Sequence, residues 1–361
     1  MTPDRDKVLA ALDGVIDPRT GRGLAAAGLV QGLMLGEGRA GFMLEVPSED
    51  AARYAPVRDA AERALKTVPG VAKAQVVLTA AAKAGVSRVR KGASIANDPR
   101  AQPQAAEAEK PPHVKRVIAV ASGKGGVGKS TIAVNLACAF AAQGLRAGVL
   151  DADVYGPSAP RMLGVDEQPA FEDGKLTPLL AHGLKVMSIG FLVDEGAPMI
   201  WRGPMASSAV RQMITDVRWG TEAEPLDVLV VDLPPGTGDI QLTLVQKLKI
   251  DGVVIVSTPQ EIALIDARRA AAMFKKTATP ILGVIENMAY FPDPATGAPI
   301  PIFGQGGAKA EAKKLGVPLL AEIPIDIALR QGGDEGTPIV VSDPDGAVAK
   351  AFAAAARALA G

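Results

Sequence analysis

Cysteine is almost missing from this chain: of 361 residues only Cys138 carries a thiol. That excludes an intramolecular disulfide and agrees with a reducing compartment. Histidine is nearly as scarce. His113 and His182 stand alone, which argues against a multi-histidine metal centre or a histidine-based hydrolase triad within one chain. Aromatic residues make up only 4% of the chain, whereas apolar residues make up 48%, so the core is built from alanine, valine and leucine. Such a composition suits an α/β sheet with helices packed closely on it. Net charge is lacking too: 39 Lys plus Arg balance 39 Asp plus Glu, and no global field points to nucleic acid or an anionic membrane. No uncharged apolar run is long enough to span a bilayer, and the charged start Asp4-Arg5-Asp6-Lys7 does not read as a signal peptide. A cytoplasmic protein is expected, with neither nucleic acid nor membrane as partner.

What is abundant is glycine, at one place above all. Val117-Ile118-Ala119-Val120 reads as a buried parallel strand, and Ile132 to Gln143 as a helix stopped by Gly144. Between them lies Ser122-Gly123-Lys124-Gly125-Gly126-Val127-Gly128-Lys129-Ser130-Thr131, which fills every fixed position of the phosphate-binding loop Gly-x-x-x-x-Gly-Lys-Ser. Gly123, Gly125, Gly126 and Gly128 are expected to let backbone N–H groups converge on one concavity at a helix N-terminus, where anions are favoured. Lys129 supplies a point charge for the terminal phosphates, and the Ser130 hydroxyl can ligate Mg²⁺.

Around that loop the chain reads as two domains and a linker. Residues 1–90 give an α-β-β-α-β pattern: a helix over 4–14, strands over 29–35 and 40–46 around Gly36-Glu37-Gly38, a helix over 51–66 and a strand over 71–79. Asp17 lies in a loop before Pro18, where aspartate is most often a turn or cap residue. Residues 91–112 shift to alanine, glutamine, glutamate, asparagine and proline without periodicity, and predict a flexible linker. Residues 113–361 predict a doubly wound, mostly parallel phosphate-loop sheet.

Two further strand ends carry acids. Arg146 to Leu150 closes on Asp151-Ala152-Asp153-Val154-Tyr155-Gly156-Pro157-Ser158, where one carboxylate can enter a Mg²⁺ shell and the other orient an attacking water. Leu226 to Val231 closes on Asp232-Leu233-Pro234-Pro235-Gly236-Thr237-Gly238-Asp239. Asp232 then suits a Mg²⁺-bound water, and Gly236 can offer its N–H to a γ-phosphate that disappears on hydrolysis. The assignment is Ser130, Asp151 and Asp232 to metal. ATP is favoured over GTP, because no guanine-specific Asn/Thr-Lys-x-Asp box is present.

These segments, together with Glu286-Asn287-Met288, make residues 113–350 resemble the Mrp/ApbC group of iron–sulfur carrier ATPases, relatives of MinD and ParA. Val15-Ile16-Asp17-Pro18 and Val68-Pro69-Gly70-Val71 resemble the small iron–sulfur assembly domain often fused ahead of them. The resemblance implies a homodimer in which Lys124 reaches the partner's nucleotide, with Asp153 positioning the water. It further implies Asn287 at the adenine edge and Pro259 flanking the base, client apoproteins, and a slow, switch-like ATPase. Trp201-Arg202-Gly203-Pro204-Met205 also resembles that group, Arg202 standing either at a phosphate, at the dimer partner or in a surface ion pair. Typical members bind a cluster between subunits through Cys-x-x-Cys shortly after Asn-Met. Here the segment reads Tyr290-Phe291-Pro292-Asp293-Pro294-Ala295-Thr296-Gly297, and no cluster ligand is identifiable. Asp293 is either an oxygen donor to iron or a turn residue, and Cys138 a small buried apolar side chain. Two other functions stay in view: a nucleotide-gated scaffold without a cluster, and a ParA/MinD-like positioning ATPase.

Overall fold

The computed structural model describes residues 3–36, 38–47, 51–81, 108–172, 174–192 and 203–360. The chain divides into two compact units within the stretch expected as linker.

In the first unit the elements run α1 (Arg5–Asp13), β1 (Val30–Gly36), β2 (Arg39–Pro47), α2 (Ala51–Lys66) and β3 (Lys73–Ala81). Asp4 starts α1 by accepting from the N–H groups of Asp6 and Lys7. β1 and β2 form an antiparallel hairpin, and α2 carries the chain across so that β3 runs parallel to β2. Phe42, Leu44 and Val46 alternate along β2 onto one face, where they meet Val8, Leu12, Tyr54 and Leu65 in a buried core.

The second unit begins earlier than its sequence suggests. Glu109 exchanges backbone hydrogen bonds with Lys247 and Lys249 at 2.7 and 2.9 Å, and Lys110 pairs with Asp251 at 2.8 Å. Composition alone marks 108–112 as linker, but these tertiary bonds hold them to the sheet domain. Residues 91–107 lie outside the described residues.

The chain then runs β4 (Val114–Ser122), α3 (Lys129–Ala142), β5 (Ala147–Asp151) and α4 (Ala159–Met162). An excursion follows through β6 (Phe171–Glu172), β7 (Lys175–Leu176) and β8 (Leu179–Ala181) before β9 (Leu184–Ser188) rejoins the sheet. Next come α5 (Gly203–Thr215), β10 (Leu226–Asp232), α6 (Asp239–Lys247), β11 (Gly252–Ser257), α7 (Glu261–Lys276) and β12 (Ile281–Asn287). A hairpin of β13 (Phe291–Pro292) and β14 (Pro299–Ile300) leads to α8 (Gly307–Leu315) and β15 (Leu319–Ile323). The chain closes with α9 (Ile327–Glu335), α10 (Ile339–Ser342) and α11 (Ala347–Ala360). The strand order is β15-β12-β11-β4-β10-β5-β9-β8, parallel except for the antiparallel edge strand β8.

β4, β10 and β11 are buried along nearly their whole length, which is why they read as unbroken apolar runs. α3 is buried from Ile132 to Phe140, all round rather than on one stripe, because α11 and α10 cover the side turned away from the sheet. Helices α6, α9 and α10 are additions to the sequence reading. α7 starts at Glu261, since Gln260 is extended as its cap. Trp201 and Arg202 lie outside the described residues. Among the described residues no helix is long and apolar enough to cross a membrane.

Candidate functional site

Strand register builds the site. On the central strands Asp232 stands opposite Val120 of β4 on one side and Asp151 of β5 on the other. The glycine-rich loop leaves β4 two residues later, so all three strand ends deliver their chemistry to one level at the carboxyl edge of the sheet.

At the centre is Lys129, the first residue of α3 and 6% exposed. Its ammonium donates to Asp232 Oδ1 at 2.5 Å and lies 3.4 Å from Asp153 Oδ2. Burial pushes its pKa down, but the charges of Asp232 and Asp153 outweigh burial and hold it above the ordinary lysine value. Asp232 has the reverse balance. Burial raises its carboxyl, Lys129 and the Ser130 hydroxyl pull it back, and the net is upward. Its second oxygen, Oδ2, is buried without a hydrogen-bond partner from the protein. An unpaired lone pair on a buried carboxylate costs free energy unless something comes to it.

Asp151 behaves differently from its neighbours. Its Oδ1 accepts from Asp153 N–H, and its Oδ2 accepts from Ser158 N–H, Ala159 N–H and the Ser188 hydroxyl, at 2.9–3.1 Å. Burial and the nearby Asp232 charge push its carboxyl up to about 7. The sequence places Asp151 in a metal shell; in the structure its oxygens clamp the loop that carries Asp153. Asp153 keeps Oδ2 towards Lys129 while its Oδ1 takes Tyr155 N–H.

The four loop glycines serve different ends. Gly126 and Gly128 have positive φ, 79° and 81°, as the concavity requires. Gly123 does not; a Cβ there would come 2.1 Å from the Asp266 carbonyl on α7, so this glycine permits close packing. Around Gly125 there is open space. Gly123 and Gly125 keep φ outside the left-handed region, so only Gly126 and Gly128 use the backbone freedom of glycine to shape the concavity.

Three expected contacts are engaged within the protein. Asn287 is buried, and its side-chain amide donates to Val127 O at 2.9 Å, tying β12 to the phosphate loop. The same amide nitrogen would lie 2.1 Å from a Cβ at Gly128. Gly236, at φ 93°, donates its N–H to Ser122 O at 3.0 Å. Pro259 is buried in the turn between β11 and α7, and its carbonyl faces Gly307. Lys124 is half-buried, its carbonyl held by the Ser122 hydroxyl at 2.8 Å; Thr131 offers its carbonyl to Asn135 at 3.0 Å.

Sequence reasoning missed several participants. Glu286 is buried and accepts from Ala308 N–H at 2.7 Å, fastening α8 to the end of β12. Asn135 bridges α3 to Val340 N–H of α10. Gln241, two residues into α6 after the Gly236 turn, is buried with both amide atoms unpartnered by protein. Only Glu286 stood in a recognised motif; Asn135 and Gln241 had no local signal, because their partners or the lack of them depend on tertiary packing. In the hairpin, Asp293 Oδ1 accepts from Ala295 and Thr296 N–H at 2.9 Å, making a closed turn that holds its carboxyl below the usual range. Asp17 likewise accepts from Arg19 N–H, Thr20 N–H, the Thr20 hydroxyl and the Tyr54 hydroxyl.

Residues 113–360 match the family model described as NUBPL iron-transfer P-loop NTPase, and residues 5–76 match the one described as iron-sulfur cluster assembly protein. A protein of Synechocystis named iron-sulfur cluster carrier protein is 42% identical over 362 residues, covering 99% of this chain and 97% of its own. An Arabidopsis thaliana protein named iron-sulfur protein required for NADH dehydrogenase, mitochondrial, is 52% identical over 241 residues, 66% of this chain and 76% of that one. Among solved structures, a nucleotide-binding protein of Archaeoglobus fulgidus in complex with ADP is 40% identical with a TM-score of 0.58, covering 66% of this chain and 93% of that one. The Pyrococcus horikoshii MinD structure, at 22% identity and a TM-score of 0.50 over 68% of this chain and 96% of that one, shares the fold.

Proposed function

The chain belongs to the iron-transfer P-loop NTPase family and carries an iron–sulfur assembly domain ahead of it, and from that premise we propose that it binds and hydrolyses Mg-ATP to drive iron–sulfur cluster assembly or transfer to apoproteins. One observation carries the nucleotide part. The ammonium of Lys129 is folded onto Asp232 and Asp153 beneath an open glycine loop, while Asp232 Oδ2 waits without a partner.

That orphaned oxygen beside the Ser130 hydroxyl fits a divalent cation, so Ser130 and Asp232 would hold Mg²⁺. When bound, the ion offsets phosphate charge. The remaining work falls to side chains and amides. Lys129 turns from the carboxylates to the terminal phosphates, trading one set of anions for another at little desolvation cost. Loop N–H groups at the start of α3 cradle the phosphate oxygens. Asp153, freed from the ammonium, orients the attacking water in line with the γ-phosphorus. Gly236 N–H leaves Ser122 O for the γ-phosphate and returns after hydrolysis, which makes its turn the reporter of nucleotide state. Lys124 acts across a homodimer, offsetting charge on the partner's nucleotide.

The test is magnesium-dependent phosphate release followed as chain concentration is raised. Rates that climb more steeply than the concentration, and that collapse in Lys124→Ala and Lys129→Ala, are expected. Strict proportionality with an active Lys124→Ala variant overturns the dimeric mechanism, and no phosphate release at any concentration overturns the ATPase.

A further inference from the structure

We propose that the iron–sulfur cluster handled by this chain stays on thiolates of a partner protein, on which the chain acts as a nucleotide-gated clamp without ligating the cluster itself. The inference rests on the role in cluster transfer proposed above, and it identifies the partner by its chemistry: a protein that supplies the cysteine ligands throughout.

The donor inventory leads there. Iron–sulfur clusters are held by cysteine thiolates, ordinarily four, with imidazole replacing some of them in one known class. The whole sequence offers one cysteine and two histidines. Even a pair of chains would therefore bring two thiols. Neither is usable, because Cys138 lies more than two turns along α3 from Lys129, is 2% exposed, and has its thiol pushed up to about 12 by burial. Burial keeps a thiol so placed protonated, and the cavity of about 360 Å³ that Cys138 lines with His182 brings together one thiol and one imidazole, short of the four ligands a cluster takes.

The histidines fail on position. His113 precedes β4 and His182 precedes β9, so both lie at the amino edge of the parallel sheet, opposite the nucleotide loops, with β10 and β5 between their strands. His182 Nε2 is in addition bound to Gly336 O at 2.9 Å. Among the described residues, oxygen donors offer no substitute. The β13–β14 turn, which stands where the resembling family places its paired cysteines, has Asp293 Oδ1 filled by two backbone N–H groups. Beyond that turn the large apolar side chains Ile300, Ile302 and Phe303 are exposed. Among the described residues, no three His, Cys, Asp or Glu side chains converge in a way that could hold a metal ion. No ligand exchange onto this chain is needed in the proposal: every iron–sulfur bond to protein that forms or breaks does so on partner thiolates.

The test uses the full chain with Mg-ATP under anaerobic conditions. Ferrous iron and sulfide are added without any thiol, the protein is desalted, and bound iron, labile sulfide and visible absorption are read. Less than about 0.1 iron per chain is expected, the same for wild type and Cys138→Ala; a cluster of about two or more irons per pair of chains overturns the proposal. In a second arm the probe is a two-iron cluster assembled on glutathione. It is expected to co-elute only with its glutathione attached, or not at all; co-elution with the glutathione fully displaced overturns the proposal, since the chain would then be supplying ligands. The underlying role fails on a separate readout. If deleting the gene leaves iron–sulfur enzyme activities unchanged in the cell, cluster transfer is lost as a function whatever the chain does with iron in vitro.

Discussion

Two buried aspartates, one in each unit, show how alike two carboxylates can look in a sequence and how different they are in a fold. Asp17 and Asp232 each follow an apolar residue and precede a loop containing proline and glycine. Asp17 is 1% exposed, yet backbone N–H groups and two hydroxyls fill its oxygens; burial raises its carboxyl, those hydrogen bonds outweigh it, and the net lies below the ordinary value. Asp232 is fully buried, shares a single lysine with Asp153, and leaves one oxygen without a partner, so its carboxyl is pushed up. A carboxylate whose lone pairs are filled by its own loop is holding that loop. One that keeps a lone pair open beside a lysine is prepared for a ligand.

The contrast can be broken most forcefully at Lys129. Lys129→Ala should reduce phosphate release by about 10² or more. It should also lower the nucleotide-free melting temperature, because stranding a buried carboxylate costs about 3–5 kcal/mol. A variant that melts like the parent would mean the pair is not buried in solution. Asp232→Asn comes next. Phosphate release should fall about 10²-fold, and calorimetry should find that magnesium no longer tightens ATP binding. Retained magnesium dependence would move the metal to other ligands.

In the other unit the readout is stability alone. Tyr54→Phe removes one charge-assisted hydrogen bond to Asp17, and hydrogen exchange of the small unit should report a loss of about 1.5–3 kcal/mol with ATP affinity unchanged. Because the Asp17 carboxyl titrates below its ordinary 3.8 when folded, its stabilisation is complete above that value and fades as pH falls through the lower folded pKa. Asp17→Asn should flatten that acid limb. The smallest effect is expected at Gln241. Replacing its unpartnered amide by Met should stabilise the nucleotide-free protein by about 1 kcal/mol, seen as a higher melting temperature, and any decrease would show that the amide has a partner in solution.

The elements were largely legible before the fold was known. β4, β10 and β11 are continuous apolar runs because both faces are covered, and the phosphate loop declares itself because fixed glycines and a lysine stand between such a run and a helix. The misreadings share a cause. Residues 108–112 look like linker since backbone bonds to Lys247 and Lys249 leave no trace in composition, and α9 and α10 are short helices held by neighbours distant in sequence, α4 and α3. At the site, residue types identified the phosphate loop, Lys129 and Asp232 as chemistry-bearing, but not how each is spent. Asp151, Asn287 and Gly236 all have partners inside the protein, as Pro-Asp-Pro does in its turn.

Composition decided one matter alone: a single cysteine limits what the chain can ligate, whatever its conformation, since ligand number is counted and not folded. Motif spacing likewise determined that a phosphate loop, a helix start and two acid-ended strands occur in one sheet. Which acid lies open and which is saturated was decided only by the tertiary structure. Strand register sets Asp232 beside Asp151, while the Ser158–Ala159 turn and Ser188 reach Asp151 from the loop and from β9, and that distribution of hydrogen-bond donors is a property of three-dimensional neighbours.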